Sequence, residues 1–288
     1  MKNIYLLVGL ILFGCSNKEI DSAEIDSAEI VSKIVLPKII NETSGLEFYN
    51  NNFITHNDSG GEPSLYVFNE MGEVIETIGL NKNPDFEIEN NDWEDITNDN
   101  EYLFVADTGN NFGNRDNLNI IRVSKGTDFM VDGIIEISYS DQESFFPRPK
   151  HKYDAEAIIV IEDKLALFSK DRENLNTDLY LVDKNQNGSQ ILTSEVSYNV
   201  NTLITGGDYD EDRNLLALVS YNSKGNQYLL LFENFKLNNL ENNTFKKFKI
   251  PLEQAQIEAV KIIDEKTFWV TSEDEGIGSP FMYKIEVK

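Results

Sequence analysis

One short unit recurs five times along this chain, and that recurrence limits the fold more than any composition does. The copies read ETSGLEF with FITHND, DWEDIT with YLFVAD, DAEAIIV with LALFSKD, TGGDYD with LLALVSYN, and QIEAVKI with FWVTSED. Taking Ser44, Glu94, Glu156, Gly206 and Glu258 as equivalent points, the period is about fifty residues, which suits a four-stranded blade. Third strands follow as SLYVFN, LNIIRV, DLYLVD, QYLLLF and FMYKIEV, and fourth strands as EVIETIGL, GIIEISYS, SQILTSEV and TFKKFKIPL. The fifth copy stops after its third strand, while SKIVLPKII at 32–40 stands unassigned ahead of the first. The economical solution is an all-β propeller of five four-stranded blades, closed by that N-terminal strand pairing beside residues 281–287. Closure of this kind removes an edge that would otherwise template association. Six blades are the alternative, and would need shorter units and a copy that the sequence does not show.

The strand assignments rest on short runs of β-branched and aromatic residues separated by Asn, Asp and Gly, with no long stretch at helical spacing. Trp93 and Trp269 fall inside these runs and are expected to pack between blades. The second copy is the longest, with loops at 108–117 and 140–154, and long loops on a rigid ring are places where function gathers.

Ahead of the repeats, Lys2 precedes an apolar run at 4–13 that is too short to span a bilayer. Leu12, Phe13, Gly14 and Cys15 resemble the lipobox of bacterial lipoproteins, in which the cysteine receives diacylglycerol. The expected organisation is a signal peptide at 1–14, lipidated Cys15 with an acidic tether at 15–31, and a propeller at 32–288. The tether reads EIDSAEIDSAEI, a tandem unit with no apolar face to bury. Ser16 after the cysteine resembles the pattern sent to the outer membrane of Gram-negative bacteria, so a cell-envelope location facing periplasm or exterior is expected. Cys15 is the one cysteine, and with the anchor consuming it the chain is expected to form no internal disulfide, thiolate nucleophile or cysteine-ligated zinc site.

With 50 acidic against 25 basic residues the formal net charge is −25. Such a chain repels nucleic acid, so the expected partners are a membrane, through the lipid, and an unknown extracytoplasmic ligand or protein.

Taken together, THNDSGGEPSLYVFNEMGEVIETI, NDWEDI, YLFVADTGNN, SDQESFFPRP, YDAEA and IEAV with SEDEG resemble bacterial, often lipid-anchored, propeller proteins of poorly defined function. That group is related in outline to SdiA-regulated propellers and to esterase-like phytase propellers. The resemblance implies the fold over nearly all of 38–288 and says little about activity. The chain departs from the commoner pattern at Gly206, Gly207 and Asp208, and at Ser44, where other copies carry Glu.

Equivalent positions of a propeller converge on its axis, so Glu94, Glu156 and Glu258, helped by Asp95 and Asp154, are expected near one another. Asp58, Asp107, Asp171 and Asp274, at the ends of second strands, form a second candidate set, with Asn57, Asn110 and Asn111 as neutral oxygen donors. Carboxylates without Cys and with only His56 and His151 favour Ca²⁺ over transition metals. The metal candidates are therefore Glu94, Glu156, Glu258, Asp107, Asp171 and Asp274; the competing role for these acids is capping strand ends. DKNQNG at 183–188 and DYDEDRN at 208–214 imitate calcium loops, but the first places Glu195 one residue late and the second lacks the glycine. His56, beside Asn57 and Asp58, is the one weak candidate for a general base. A non-enzymatic binding or interaction module is the leading expectation. The alternative is a Ca²⁺-dependent hydrolase of esters, lactones or phosphoesters.

Overall fold

The computed structural model describes residues 25–252, 255–273 and 278–288; Cys15 with its lipobox, and Asp274, lie outside them. The chain enters through β1 (Glu29–Val35) and then meanders outward from the axis once per blade. The first blade is β2 (Thr43–Tyr49), β3 (Asn52–Asn57), β4 (Ser64–Phe68) and β5 (Val74–Gly79). The second is β6 (Asp95–Asn98), β7 (Tyr102–Asp107), β8 (Asn119–Ser124) and β9 (Met130–Tyr139). The third blade runs β10 (Ala155–Ile161), β11 (Lys164–Ser169) and β12 (Asn176–Asp183), passes through β13 (Gly188–Leu192), and ends with β14 (Ser194–Asn199). The fourth is β15 (Leu203–Asp210), β16 (Leu215–Tyr221), β17 (Gln227–Phe232) and β18 (Phe245–Ile250). The fifth is β19 (Ile257–Ile262), β20 (Thr267–Ser272) and β21 (Phe281–Glu286), completed by β1 as its outermost strand.

Five apolar clusters hold the ring, one in each seam between neighbouring blades. Trp93, Ile54 and Val67 meet Leu103, Val105 and Ile121 in the first seam. Phe104, Ala106 and Ile120 meet Leu165, Leu167 and Tyr180 in the next. Phe168 and Leu179 pack on Leu218, Leu230 and Phe232, and Val219, Leu229 and Leu231 on Val260, Phe268 and Val270. The last seam joins the fifth blade to the first through Trp269 and Met282 against Leu46, Phe53 and Phe68. Second strands therefore read as unbroken apolar runs, because both of their faces are covered: Leu165 and Leu167 look toward one blade, Ala166 and Phe168 toward the other. Full burial of one such side chain contributes about 1.5–3 kcal/mol. Both tryptophans pack between blades, as the sequence leads one to expect.

The closing strand pairs as expected, antiparallel and in register from Glu29 opposite Glu286 to Val35 opposite Phe281. Its bounds differ. The strand begins at Glu29, and before it Ala28 donates to the Lys249 carbonyl and Lys249 to that of Asp26, so the end of the stretch read as tether is paired with the fourth and fifth blades. Pro37 ends the strand side of the segment, and Lys38–Ile40 form a 3-10 turn.

Two repeat assignments are corrected. SQILTSEV, taken as one fourth strand, is split: β13 runs parallel to β9 as a fifth strand on the second blade, and β14 alone completes the third. The equivalent points in the first and fourth copies also shift by one residue. Four of the five inner strands carry a β-bulge near their start, at Glu156, at Thr205 and at Glu258, and around Gly45 in β2. Ahead of β6, Glu94 N–H donates to Ala106 O while Asp95 also faces Ala106. The points in register are thus Gly45, Glu94, Glu156, Thr205 and Glu258. Gly45 sits at φ +69°, and a Cβ there would lie 2.6 Å from Ile96 N, so the narrow axis admits nothing larger.

The inner strands run side by side around the axis from an entry end to an exit end. In this up-and-down path the loops after second and fourth strands gather at the entry end. Those after first and third strands gather at the exit end, and β1 starts there, where Glu29 faces Glu286.

Candidate functional site at the entry end

A β-bulge turns a side chain out of the regular alternation. Here the bulges aim Glu156 and Glu258 at the entry mouth, and Glu94, held just ahead of β6 by its N–H bond to Ala106 O, joins them. The second-to-third-strand loops supply Asp58, Lys170 and Arg172, and the loops ahead of β6 and β10 supply Asp92 and Asp154. Carboxylate oxygens of Asp58, Asp92 and Glu94 lie within 4.8 Å of one another, and so do those of Glu94, Asp154 and Glu156. Glu94 belongs to both groups.

The two halves of this mouth differ in charge. On one side Lys170 Nζ is 2.8 Å from Glu156 Oε2, and Arg172 pairs with Asp154 and lies 3.8 Å from Glu156. Burial alone would lower the Lys170 pKa, but Glu156, Glu258 and Glu94 outweigh it and raise the value, so the ammonium stays charged. Glu258, bonded by the Gln256 amide, is raised well above the usual range by burial. On the other side, Asp58, Asp92 and Glu94 form no ion pair with Lys or Arg among the described residues. Burial, then Asp92, Glu273 and Glu156, push Asp58 up to about 8. Asp92 is raised by burial and Glu156, and Glu94 is raised well above its ordinary value by burial and by Glu156, Asp58 and Asp92.

The backbone holds this half in place. Trp93 N–H donates to Asp58 O, Gly109 N–H to Asp92 O, and Asp92 N–H to Asp107 Oδ1. Gly109 lies directly beneath the acids: a Cβ there would overlap Glu94 Oε1 and the Asp92 carboxylate.

The other expected ligands go elsewhere. Asp107 is held by Arg115, Asn91 and the Asp92 N–H, and Asp171 caps its own turn through Glu173 and Asn174. Both follow the strand-capping alternative. Asn110 takes the Asp154 carboxylate on its N–H, and Asn111 accepts from Arg172, so these two asparagines tie the long 108–117 loop to the mouth. Asn57 reaches back to Ile39 O. His56 is fully enclosed, edge-on to Trp93, and burial pushes its pKa down to about 4. His151 bonds Asn111 O and the Tyr153 N–H. Asp183 and Asp210 cap turns through Asn185 and Arg213, as hairpin acids do.

Asp92, Lys170 and Arg172 were not anticipated. The signal for the last two was legible: only the third copy follows its second strand with Lys-Asp-Arg.

A separate charged group plugs the axis toward the exit end. Lys261 bridges Glu47 (2.7 Å) and Asp208 (2.8 Å), acids from the two blades whose bulges carry no carboxylate. Burial pushes Glu47 up to about 7.

No protein family and no curated protein matches the sequence. Among solved structures, one chain from a crystal structure of the mitotic checkpoint complex aligns over 98% of this chain and 99% of its own, at 10% identity and a TM-score of 0.48. A likeness of that size says nothing about partners or activity.

Proposed function

We propose that this chain is an exported lipoprotein, lipidated at Cys15 and held in the bacterial envelope, that displays a five-bladed propeller as a non-enzymatic binding module. Kinship with the lipid-anchored bacterial propellers is part of this reading, on the strength of the THNDSGG, NDWEDI and YLFVADTGNN motifs. One observation carries it. The acidic stretch joins the ring at its outer rim, where Asp26 and Ala28 pair with Lys249 of β18 before β1 completes the fifth blade, whereas the acidic mouth lies on the axis at the end that also carries the long 108–117 and 140–154 loops. A ring anchored at its rim leaves the axial mouth and its loops clear of the anchor. Phe112 and Phe146 are 58% and 79% exposed on those two loops, which Arg148 N–H joins by donating to Phe112 O. The hydrolase alternative would have to act through a metal-bound water and not through His56, which is enclosed and whose pKa burial pushes down to about 4.

The test has two parts. Radiolabelled palmitate should enter the wild-type chain in a bacterial host and not Cys15→Ala. In proteoliposomes, a dye on Phe146→Cys should transfer less energy to a lipid-borne acceptor than one on Lys249→Cys, at the rim where the acidic stretch joins. Unlabelled wild type, or the reverse order of transfer, would overturn the reading.

A further inference from the structure

We infer that Asp58, Asp92 and Glu94 form a binding site for one hard divalent cation, Ca²⁺, at the entry mouth. This holds whether or not Cys15 is lipidated. The three carboxylates converge within 4.8 Å from two separate segments: Asp58 just past the end of β3, and Asp92 with Glu94 in the loop ahead of β6. Convergence alone would not make a site, since acids gather on many surfaces and in this mouth Asp154 and Glu156 gather around Lys170 and Arg172.

Glu94 is what separates the two halves. It is 6% exposed, yet among the described residues its carboxylate accepts no hydrogen bond and enters no ion pair. A buried carboxylate in that condition is strongly unfavourable unless it is protonated or a cation sits beside it. Asp58 Oδ1, also buried, has no hydrogen-bond partner. Lys170 does not fill the gap, because its ammonium is committed to Glu156. Gly109 completes the cradle by leaving open the space that a Cβ would take from Glu94 and Asp92.

Three carboxylates from a fixed backbone are hard oxygen donors. No His or Cys joins the group, so the donor set favours Ca²⁺ or Mg²⁺ over Zn²⁺. Ca²⁺ fits better than Mg²⁺: its looser geometry suits donors fixed by separate loops, with water completing the shell. The compensated half sets the stoichiometry. With Glu156 and Asp154 already neutralised, Glu94 can serve only the Asp58 side, which leaves room for one ion.

Calorimetry on the EDTA-stripped full-length chain in detergent, titrated with CaCl₂ and separately with MgCl₂, tests this. One Ca²⁺ per chain is expected, at least about tenfold tighter than Mg²⁺. Glu94→Gln and Asp92→Asn should each weaken Ca²⁺ at least about a hundredfold while keeping the wild-type circular dichroism. Asp171→Asn, in a turn of its own, should bind as wild type. Because Glu94→Gln could disturb the inner strand, Asp58→Asn, outside any strand, provides a second variant with the same expected loss. No heat and no thermal shift with millimolar Ca²⁺, or wild-type affinity in Asp58→Asn and Asp92→Asn, would sink the site. A Cys15→Ala chain that is unlipidated but still binds Ca²⁺ would leave the site standing while the anchored reading fell.

Discussion

The Asp95 carboxylate reaches across the axis of the ring to accept the N–H of Gly207, 3.2 Å away, in a blade that is not its neighbour. The same group accepts from Ile158 N–H in the adjoining blade and from its own Ile96 N–H. Three inner strands are thus tied to one side chain. Asp95→Ala would strand up to three buried donors at about 1–3 kcal/mol each, and a loss of at least about 3 kcal/mol is expected in urea denaturation. Asp95→Asn keeps an acceptor oxygen and should lose less than half as much.

Glycine at the axis is a steric requirement. Gly45→Ala combines a positive φ with contact on Ile96 N and should cost more than about 2 kcal/mol. Gly61, exposed and with open space around its Cβ position, is the control: Gly61→Ala should leave the melting temperature unchanged or raise it slightly. Thermal unfolding of the two variants side by side checks both.

Lys261 neutralises two buried acids at once. Lys261→Met leaves Glu47 and Asp208 without their cation, and breaking a buried pair this way costs about 3–5 kcal/mol. The penalty should be largest at pH 8 and smaller at pH 5, where Glu47, already up to about 7, is protonated. Equal losses at the two pH values, measured by guanidinium titration, would contradict this account of the plug.

Asp58 gives the cation-free protein an unusual pH response. Its folded value of about 8 exceeds the ordinary 3.8, so the folded chain keeps a proton that the unfolded chain releases. That contribution is fully present below the unfolded value and is lost as pH rises through about 8. His56 acts in the opposite sense, but only between its folded value of about 4 and 6.5. In EDTA, stability should therefore fall by about 1–2 kcal/mol between pH 6.5 and 9. Asp58→Asn should flatten the slope, and calorimetric melts across that window would show it.

The blade count and the closing strand were legible because runs such as YLFVAD and LLALVSY are covered on both faces, and double burial leaves a signal that composition alone can carry. The split at Thr193 was not. SQILTSEV keeps one polarity pattern through β13 and β14, and what separates them is a change of partner, which no local pattern records. Of the candidate acids, Glu94 and Glu156 were found from their repeat position. Asp92 was missed because it precedes the strand and owes its place to Gly109 and Asp107, distant in sequence. Asp107 and Asp171 looked equivalent to Asp58 along the chain, yet each had a nearer use in its own turn.

The pairing of β1 with β21 also has a mechanical side. Any pull between the N-terminus and something gripped at the mouth would load first the bonds of Asp26 and Ala28 to Lys249, and then the antiparallel ladder of β1 on β21. The fourth blade thus shields the clasp of the ring, because its outer strand takes up the strain ahead of the ladder that closes the circle.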